Sequence, residues 1–124
     1  MTASITLDFL PPEEYSPNST ACWQAKSRAG KRAKEAVYCY AKQTRQEPMT
    51  YAHVHYHVII AQERPRDVDN WLARAKPMTD GLVRAGLIKA DDHKHCRLSI
   101  SFEVDKSRAP RTIITVSALE GPLT

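Results

Sequence analysis

The stretch RPRDVDNWLARAKPMTDGLVRAGLIKADDHKH, residues 64–95, concentrates carboxylates in a chain that is basic as a whole. Asp67 and Asp69 follow an apolar run, VIIA at 58–61, and stand two residues apart. Both carboxylates therefore point the same way if this segment is extended. Asp91 and Asp92 end a helix-like segment that can fold back toward the first pair. Because like charges repel, and because Mg²⁺ takes carboxylate oxygens, waters and phosphates, the stretch predicts a divalent-metal site.

The middle of this stretch predicts a helix with an interruption. Apolar residues recur at helical spacing from Leu72 to Ala85, and Gly86 is a suitable helix end. Pro77 disfavours helical geometry at Lys76, the residue before it. The pattern leaves two alternatives, namely one helix kinked near Lys76, or a short turn followed by a helix with Pro77 at its first position.

The rest of the chain predicts four strands and one long helix. The segments with alternating apolar and polar residues, typical of half-buried strands, are residues 4–10, 51–62, 97–104 and 111–119. Residues 20–44 are rich in helix formers, with Asn18, Ser19 or Thr20 as the cap. The last two strands are close in sequence and predict a hairpin. The order β-α-β-α-β-β predicts a single α+β domain over residues 1–124, with a mixed four-stranded sheet packed with two helices.

The long helix carries an apolar stripe and many basic side chains. The stripe consists of Trp23, Ala29, Ala33, Ala36, Val37, Tyr40 and Ala41. The basic residues are Lys26, Arg28, Lys31, Arg32, Lys34 and Lys42. Two interpretations of the basic residues stand side by side, a face that contacts phosphates and an ordinary solvated surface.

Composition favours a polyanionic partner and an intracellular location. The formal net charge is +4 and the pI is about 9.1, which makes nucleic acid a candidate partner. Three cysteines without CxxC spacing argue against a disulfide framework and indicate reduced thiols. No run approaches the ~20 apolar residues of a membrane span, and no signal peptide is recognisable. We therefore expect no membrane partner and a cytoplasmic location.

Three histidines fall on one face of the second predicted strand. His53, His55 and His57 alternate with apolar residues, which places successive imidazoles about 7 Å apart. Two of them could bind zinc or another transition metal. The alternatives are a polar sheet face, a dimer surface or a substrate surface.

The clustered carboxylates predict metal-assisted hydrolysis of a phosphodiester. Asp67, Asp69 and Asp92 would hold one or two Mg²⁺ ions, which polarise the phosphate and help to generate hydroxide from bound water. A nearby lysine would stabilise charge that develops on the phosphate. The alternative is structural, with the aspartates at 67 and 69 as a helix N-cap pair and those at 91 and 92 as a solvated turn.

The pattern over residues 66–92, RDVDN followed by KPMTDGLVRAGLIKADD, resembles the RusA family of Holliday-junction resolvases, especially its phage and prophage members. The opening strand with Pro11-Pro12, the long basic helix and the two closing strands are more loosely similar to that family. The resemblance implies a RusA-like fold and a small homodimeric, Mg²⁺-dependent endodeoxyribonuclease, with Mn²⁺ as a substitute ion. Such an enzyme would cut four-way DNA junctions symmetrically and leave 5′-phosphate and 3′-hydroxyl ends. It would act in the cytoplasm of a bacterial host cell or in association with its nucleoid.

The resemblance also implies catalytic roles for individual residues. The catalytic residues would be Asp67, Asp69, Lys76 and Asp92, with Asp91 as a further metal ligand. The lysine stands seven residues beyond Asp69, as in some members of the family, whereas the best-known members have it four beyond, at the position of Ala73. Arg74 is the alternative to Lys76 as the basic catalytic group.

Further positions match the family outside the catalytic set. Asn70 matches the family's DN pair, and Asp80 matches an acidic position on the following helix. The residues expected to contact branched DNA are Arg64, Arg66, Asn70, Arg74, Lys26, Lys31 and Arg32. Two alternative functions are also consistent with the sequence. One is a non-catalytic branched-DNA-binding protein of phage recombination or replication, and the other is a metal hydrolase that uses the three histidines.

Overall fold

The strands and helices follow the predicted order, with one additional helix. The computed structural model describes residues 1–122, so Leu123 and Thr124 of the predicted domain 1–124 lie outside the described residues. The elements are β1 (Thr2–Leu7), a 3-10 helix (Glu13–Tyr15), α1 (Trp23–Gln43), β2 (Ala52–Ile60), α2 (Val68–Arg74), α3 (Lys76–Arg84), β3 (Cys96–Val104) and β4 (Arg111–Ala118). The prediction of a single α+β domain with a mixed four-stranded sheet is confirmed. Residues 1–122 contain three α-helices in place of the two predicted.

β2 lies inside the sheet, and this position contradicts the predicted hairpin. The strand order is β1-β4-β2-β3. β4 runs antiparallel to both β1 and β2, whereas β3 runs parallel to β2 with Ala52 opposite Cys96. The prediction that β3 and β4 pair as a hairpin is therefore wrong. The physical reason is that α2 and α3 form a crossover that delivers β3 parallel to one edge of β2, so that β4 pairs with the other edge.

The core lies between one face of the sheet and the layer formed by α1 and α3. Val54 and Tyr56 of β2 are fully buried there, together with Val37 of α1 and Leu82 of α3. The Tyr56 hydroxyl hydrogen-bonds with the Thr79 hydroxyl inside this core. Burial raises the pKa of Tyr56 far above its ordinary value, so the phenol stays neutral and its polar atom is satisfied.

α1 begins later than predicted. It starts at Trp23, and no side chain caps its first turn. The prediction of a cap at Asn18, Ser19 or Thr20 is therefore wrong. The Ser19 hydroxyl instead accepts a hydrogen bond from the Ala21 N–H at 3.1 Å, and this local turn holds the chain out of the helix.

The apolar stripe of α1 is shorter than predicted. Its buried members are Ala29, Ala33, Val37 and Ala41. Trp23 and Tyr40 were expected in the same stripe, but they are 74% and 45% exposed. Trp23 opens the helix more than one turn before Ala29, the first residue of α1 that the core buries, which explains its exposure. Like the other helices of residues 1–122, α1 lacks the combination of length and apolar character needed to cross a membrane.

α2 and α3 replace the second predicted helix and meet at Ala75. The structure is closest to the kinked alternative, because helical residues stand on both sides of the break. Pro77 lies in the first turn of α3, where its missing N–H breaks no helical hydrogen bond. Gly86 has a φ of 77° and follows the end of α3, which confirms it as the predicted helix end.

Gly81 lies where α3 crosses α1, and its replacement by alanine is expected to destabilise the fold. An added Cβ would lie 2.6 Å from the backbone oxygen of Lys34 and 3.0 Å from Cβ of Val37. The overpacking is expected to cost about 1–3 kcal/mol, more than the gain of about 1 kcal/mol in helix propensity. Chemical denaturation followed by circular dichroism would measure the free energy of unfolding. Gly121→Ala is the control, since its Cβ meets nothing within 4 Å, and a Gly81→Ala variant as stable as this control would contradict the argument.

Candidate functional site

The first carboxylate pair lies after β2, at the start of α2. Asp67 is the N-cap of α2, and its Oδ1 accepts hydrogen bonds from the N–H groups of Asp69 at 3.0 Å and Asn70 at 3.3 Å. The structural interpretation is thus confirmed for Asp67. Both aspartate side chains are exposed, whereas Asn70 is half-buried. Capping uses one oxygen of Asp67, so the carboxylate retains a second oxygen that can bind a cation.

Lys76 brings together two acidic residues of the motif. Its Nζ lies 2.9 Å from Oδ1 of Asp80 and 2.5 Å from Oδ2 of Asp91. Asp80 is four residues further along α3, and this spacing places it on the same face of the helix as Lys76. The turn at Gly86 sends the chain back, which brings Asp91 to the same ammonium group. The hydrogen bonds from Asp91 and Asp80 raise the pKa of Lys76, so it is charged at neutral pH.

Asp92 is held in the turn before β3. Its Oδ1 accepts hydrogen bonds from the N–H groups of Lys94 at 3.0 Å and His95 at 3.1 Å, and it lies 2.7 Å from Nδ1 of the His95 ring. The hydrogen bond with His95 lowers the pKa of Asp92 below its ordinary value. The His95 ring in turn stacks on Tyr51, with the ring centroids 5.5 Å apart. Asp92 therefore has a structural role in this turn, as one of the two interpretations predicted.

The two carboxylate pairs lie toward opposite ends of the β2–β3 pair. Ala52 faces Cys96 and Ile60 faces Val104 in the parallel register, so residues that follow β2 and residues that precede β3 leave opposite ends of the sheet. Within residues 1–122, no group of three or more His, Cys, Asp or Glu side chains is placed to hold a metal ion. The structure therefore does not bring the predicted ligands Asp67, Asp69, Asp91 and Asp92 into one cluster.

The donor chemistry of each pair suits Mg²⁺ even though the pairs are apart. Carboxylate oxygens are the ligands that this ion prefers, and one or two of them usually act together with waters and substrate phosphates. Asp67 with Asp69 offers one such donor set, and Asp91 with Asp92 offers another. What the described residues lack is a closed cage of three carboxylates.

The arginines predicted to contact DNA line a cavity beside the end of β2. Arg64, Arg66 and Arg74 all contribute to its walls. Arg74 is clamped in place, because its Nε and Nη2 donate to the Pro11 carbonyl at 3.1 and 2.8 Å and its guanidinium lies 3.7 Å from the centre of the Trp71 ring. Of the two candidates for the basic catalytic group, Lys76 is thus the one that contacts carboxylates of the motif.

The basic residues of α1 extend the positive surface. Lys26, Lys31 and Arg32 are exposed. Lys26 Nζ lies 4.9 Å from the centroid of the Tyr15 ring, which steadies the chain before α1. Lys31 and Asp80 line the same cavity of about 330 Å³ between α1 and α3. This cavity connects the basic face of α1 with the cluster around Lys76.

The histidines of β2 form a continuous hydrogen-bonded ladder with β3. His53 Nε2 and His55 Nδ1 both lie 2.6 Å from the Ser99 hydroxyl. His55 Nε2 and His57 Nδ1 both lie 2.7 Å from the Ser101 hydroxyl. The ladder ends where His57 Nε2 meets Oε1 of Glu103 at 2.9 Å. These contacts favour the polar sheet face over a histidine metal site, since both ring nitrogens of His55 already have partners.

The carboxylate at the end of this ladder decides its direction. Ionised Glu103 only accepts, so His57 must donate from Nε2 and accept at Nδ1. Each serine hydroxyl then donates to one ring and accepts from the next, which gives every neutral histidine of the ladder an Nε2 proton. A second proton on His55 would sit on Nδ1 and face the hydrogen of the Ser99 hydroxyl. Two donors would then point at each other, and the direction of the hydrogen bonds in the ladder would be lost. Burial, and then the charges of His53 and His57, lower the pKa of His55 below its ordinary value of 6.5.

The ladder residues on β3 were not identified from the sequence. Ser99, Ser101 and Glu103 alternate in the predicted strand 97–104, as many surface residues do. The signal is the match between H-x-H-x-H and S-x-S-x-E, but it has meaning only if β2 and β3 are neighbours in parallel register. The predicted hairpin paired β3 with β4 and assigned no neighbour to its other edge, so the pairing with β2 was not identified.

The capping role of Asp67 can be separated from its charge. Asp67→Ala removes the acceptor for two backbone N–H groups and is expected to lower the free energy of unfolding by about 1 kcal/mol. Asp67→Asn keeps a capping oxygen and is expected to change stability by only a few tenths of a kcal/mol. Urea denaturation of both variants would test this, and equal losses in the two would show that the charge, not the cap, stabilises α2.

The ladder predicts one tautomer for all three histidines. At pH values where the rings are neutral, ¹⁵N NMR should show Nε2–H forms for His53, His55 and His57, because Glu103 sets the direction. Glu103→Ala should allow Nδ1–H forms to appear, whereas the exposed Glu47→Ala control should not. Nδ1–H forms in the unaltered protein would contradict the ladder.

The same NMR titration gives a pH dependence of known sign. The pKa of His55 should fall below 6.5, because burial and the two neighbouring histidines oppose its protonation. The unfolded chain then binds more protons than the folded protein as the pH drops through 6.5. This contribution to stability is therefore complete above pH 6.5 and is lost as the pH falls toward the lowered pKa.

Comparisons with known proteins assign no family to the chain. No protein-family model matches its sequence. No curated protein matches it either.

Proposed function

We propose that this protein is a Mg²⁺-dependent endonuclease of branched DNA, with the four-way junction, implied by the resemblance to the RusA family, as its substrate. The observation that carries the proposal is the contact of Lys76 with both Asp80 and Asp91. All three residues belong to the motif on which the resemblance rests, and Asp91 is 15 positions from Lys76. The exposed Lys76 ammonium group, held between a half-buried Asp80 and an exposed Asp91, is well placed to meet the negative charge of a phosphodiester.

The proposed roles follow from the chemistry of these side chains. The Mg²⁺ ligands would be Asp67, Asp69, Asp91 and Asp92. Bound Mg²⁺ supplies polarisation of the phosphate and lowers the pKa of a coordinated water. Lys76 would stabilise the charge that develops on the phosphate, while Asp80 and Asp91 orient its ammonium group. Since the two carboxylate pairs lie apart, the ion that acts on the scissile phosphate would be held by one pair together with waters and that phosphate.

The basic surfaces support a DNA partner. The candidate phosphate contacts are Lys26, Lys31, Arg32, Arg64, Arg66, Asn70 and Arg74. The formal net charge of +4 favours association with a polyanion. Binding through phosphates releases counterions, so the affinity should fall steeply as the salt concentration rises.

The proposed substrate requires two active sites. A four-way junction is resolved by two symmetric cuts, each leaving a 5′-phosphate and a 3′-hydroxyl end. A homodimer with a twofold axis presents two identical sites in the arrangement that such a substrate needs. The homodimer is part of this proposal and has the same support, the resemblance of the motif.

A second candidate is a branched-DNA-binding protein without catalysis. The observation that favours it is that residues 1–122 contain no group of three metal-ligating side chains placed around one point. Lys76 also pairs with Asp80 and Asp91, and its positive charge would compete with a cation for these carboxylates. Under this alternative, junction binding is retained and cleavage is absent with every divalent metal.

Cleavage of a synthetic immobile four-way junction, compared with linear duplex, tests the proposal. With Mg²⁺ the protein should introduce paired nicks in the junction, and with EDTA it should introduce none. Asp69→Asn keeps the size of the side chain but removes its charge, and should lower the cleavage rate by about 100-fold or more while junction binding survives. The exposed Asp8→Asn, which removes the same charge outside the motif, is the control. Tight junction binding without cutting would replace the nuclease by the binding protein.

A further inference from the structure

The cavity at the C-terminal end of β2 combines an apolar wall with three guanidinium groups. Its volume is about 370 Å³, within the range of about 300–1,000 Å³ typical of ligand sites. The apolar wall includes Leu10, Ile60, Trp71 and Pro110. The charged side comes from Arg64, Arg66 and Arg74, and Glu13 is the only carboxylate among the described residues that line it.

Arg66 brings a hydrogen-bond donor that the protein itself does not satisfy. Its Nη1 donates to the carbonyl of Arg64 at 2.8 Å, which fixes the guanidinium. Its Nε is buried and has no hydrogen-bond partner within residues 1–122. A buried donor without an acceptor costs free energy, so an anion that reached this Nε through a local rearrangement of the cavity wall would remove that cost.

Arg74 is positioned before any ligand arrives. Two of its nitrogens donate to the Pro11 carbonyl, and its guanidinium carbon lies 3.7 Å from the centre of the Trp71 ring. A guanidinium already fixed in this way loses little conformational entropy when it binds an anion. Its flat surface beside an apolar wall also suits the sugar and base that accompany a phosphate in a nucleic acid.

Among the described residues that line the cavity, three guanidinium groups and one carboxylate, Glu13, leave an excess of two positive charges. Glu14 acts on the charge of Arg74 and Glu63 on that of Arg66, and both reduce this excess. Burial lowers the pKa values of Arg66 and Arg74, yet arginine stays charged at neutral pH. A terminal phosphomonoester carries about −1.5 to −2 at pH 7, whereas each phosphodiester of the backbone carries about one negative charge.

We propose that this cavity binds the terminal phosphate of a nucleic acid strand. The inference rests on the proposed function, because each proposed cut of a four-way junction leaves a 5′-phosphate end. Arg66 directly precedes Asp67, so an end held in the cavity lies next to the first carboxylate pair in the chain. The cavity would hold the phosphorylated end of a branch that has already been nicked.

Binding of forked DNA with phosphorylated or hydroxyl ends tests the proposal. Fluorescence anisotropy in EDTA measures affinity without cleavage, with the phosphate placed at the 5′ end in one probe and the 3′ end in another. The protein should bind one phosphorylated fork about tenfold more tightly than the hydroxyl fork, the factor expected for one charge-assisted hydrogen bond. Arg66→Ala should abolish this preference and Arg66→Lys should retain part of it, because lysine keeps the charge but loses the planar set of donors. Arg97→Ala, an exposed arginine on β3, removes the same charge elsewhere and should leave the preference intact.

Several outcomes would overturn the assignment. Equal affinity for phosphorylated and hydroxyl forks would contradict it. An Arg66→Ala variant that keeps the full preference would also contradict it. If Arg66→Ala does not fold, Arg64→Ala is measured in its place. Inorganic phosphate that competes as well as the phosphorylated fork would indicate a site for the free ion instead of a strand end. If the protein prefers phosphorylated ends but cuts no junction, the proposed nuclease function is wrong and the phosphate site is retained. If it cuts junctions but shows no preference for phosphorylated ends, the phosphate site is wrong and the nuclease function is retained.

Discussion

β2 pairs with β3 in parallel, and a parallel pair cannot be closed by a tight turn, so the chain must cross the sheet between the two strands. α2 and α3 make this crossing, and the whole candidate motif lies on it. The segment begins beyond the end of β2 with Asp67 and finishes before the start of β3 with Asp92. The same constraint therefore separates the two carboxylate pairs. It also aligns the histidines of β2 with the serines of β3, on the face of the sheet that points away from α1 and α3. Both arrangements would change together if β3 paired with β4 instead.

Close packing of α3 on α1 then decides which groups of the crossover meet. Gly81 allows the backbone of α1 to approach α3 at Lys34, and Met78 and Leu82 fill the interface. With α3 held there, Lys76 lies at its N-terminal end, within reach of Asp91 from the returning chain. The position of the lysine thus depends on a glycine that has no chemical role of its own.

Several charged residues have a structural task in addition to any functional one. Asp67 caps α2, Asp92 closes the turn before β3, and Arg74 ties α2 to the loop after β1. Each task uses only part of the side chain, since a carboxylate has two oxygens and a guanidinium has three nitrogens. Arg66 differs from them, because its buried Nε has no partner in the described part of the chain. Among these charged residues, Arg66 is therefore the one with a buried polar group that no contact within residues 1–122 satisfies.

The sequence by itself determined the elements that depend on local patterns. Alternation identified all four strands, and the restraint that Pro77 places on Lys76 marked the break between α2 and α3. The spacing of the carboxylates also identified Asp67, which caps α2, and Asp91, which contacts Lys76. The sequence did not predict where α1 starts. Asn18, Ser19 and Thr20 are all suitable caps by residue type, but the Ser19 hydroxyl forms a local turn with the Ala21 N–H and no side chain caps α1. Only the tertiary structure decided that β2 separates β3 from β4, that Asp67 and Asp91 are apart, and that Ser99, Ser101 and Glu103 complete the histidine ladder. Periodicity reports which face of an element is apolar but not which element it meets, and strand neighbours are chosen by crossover geometry and core packing over the whole chain.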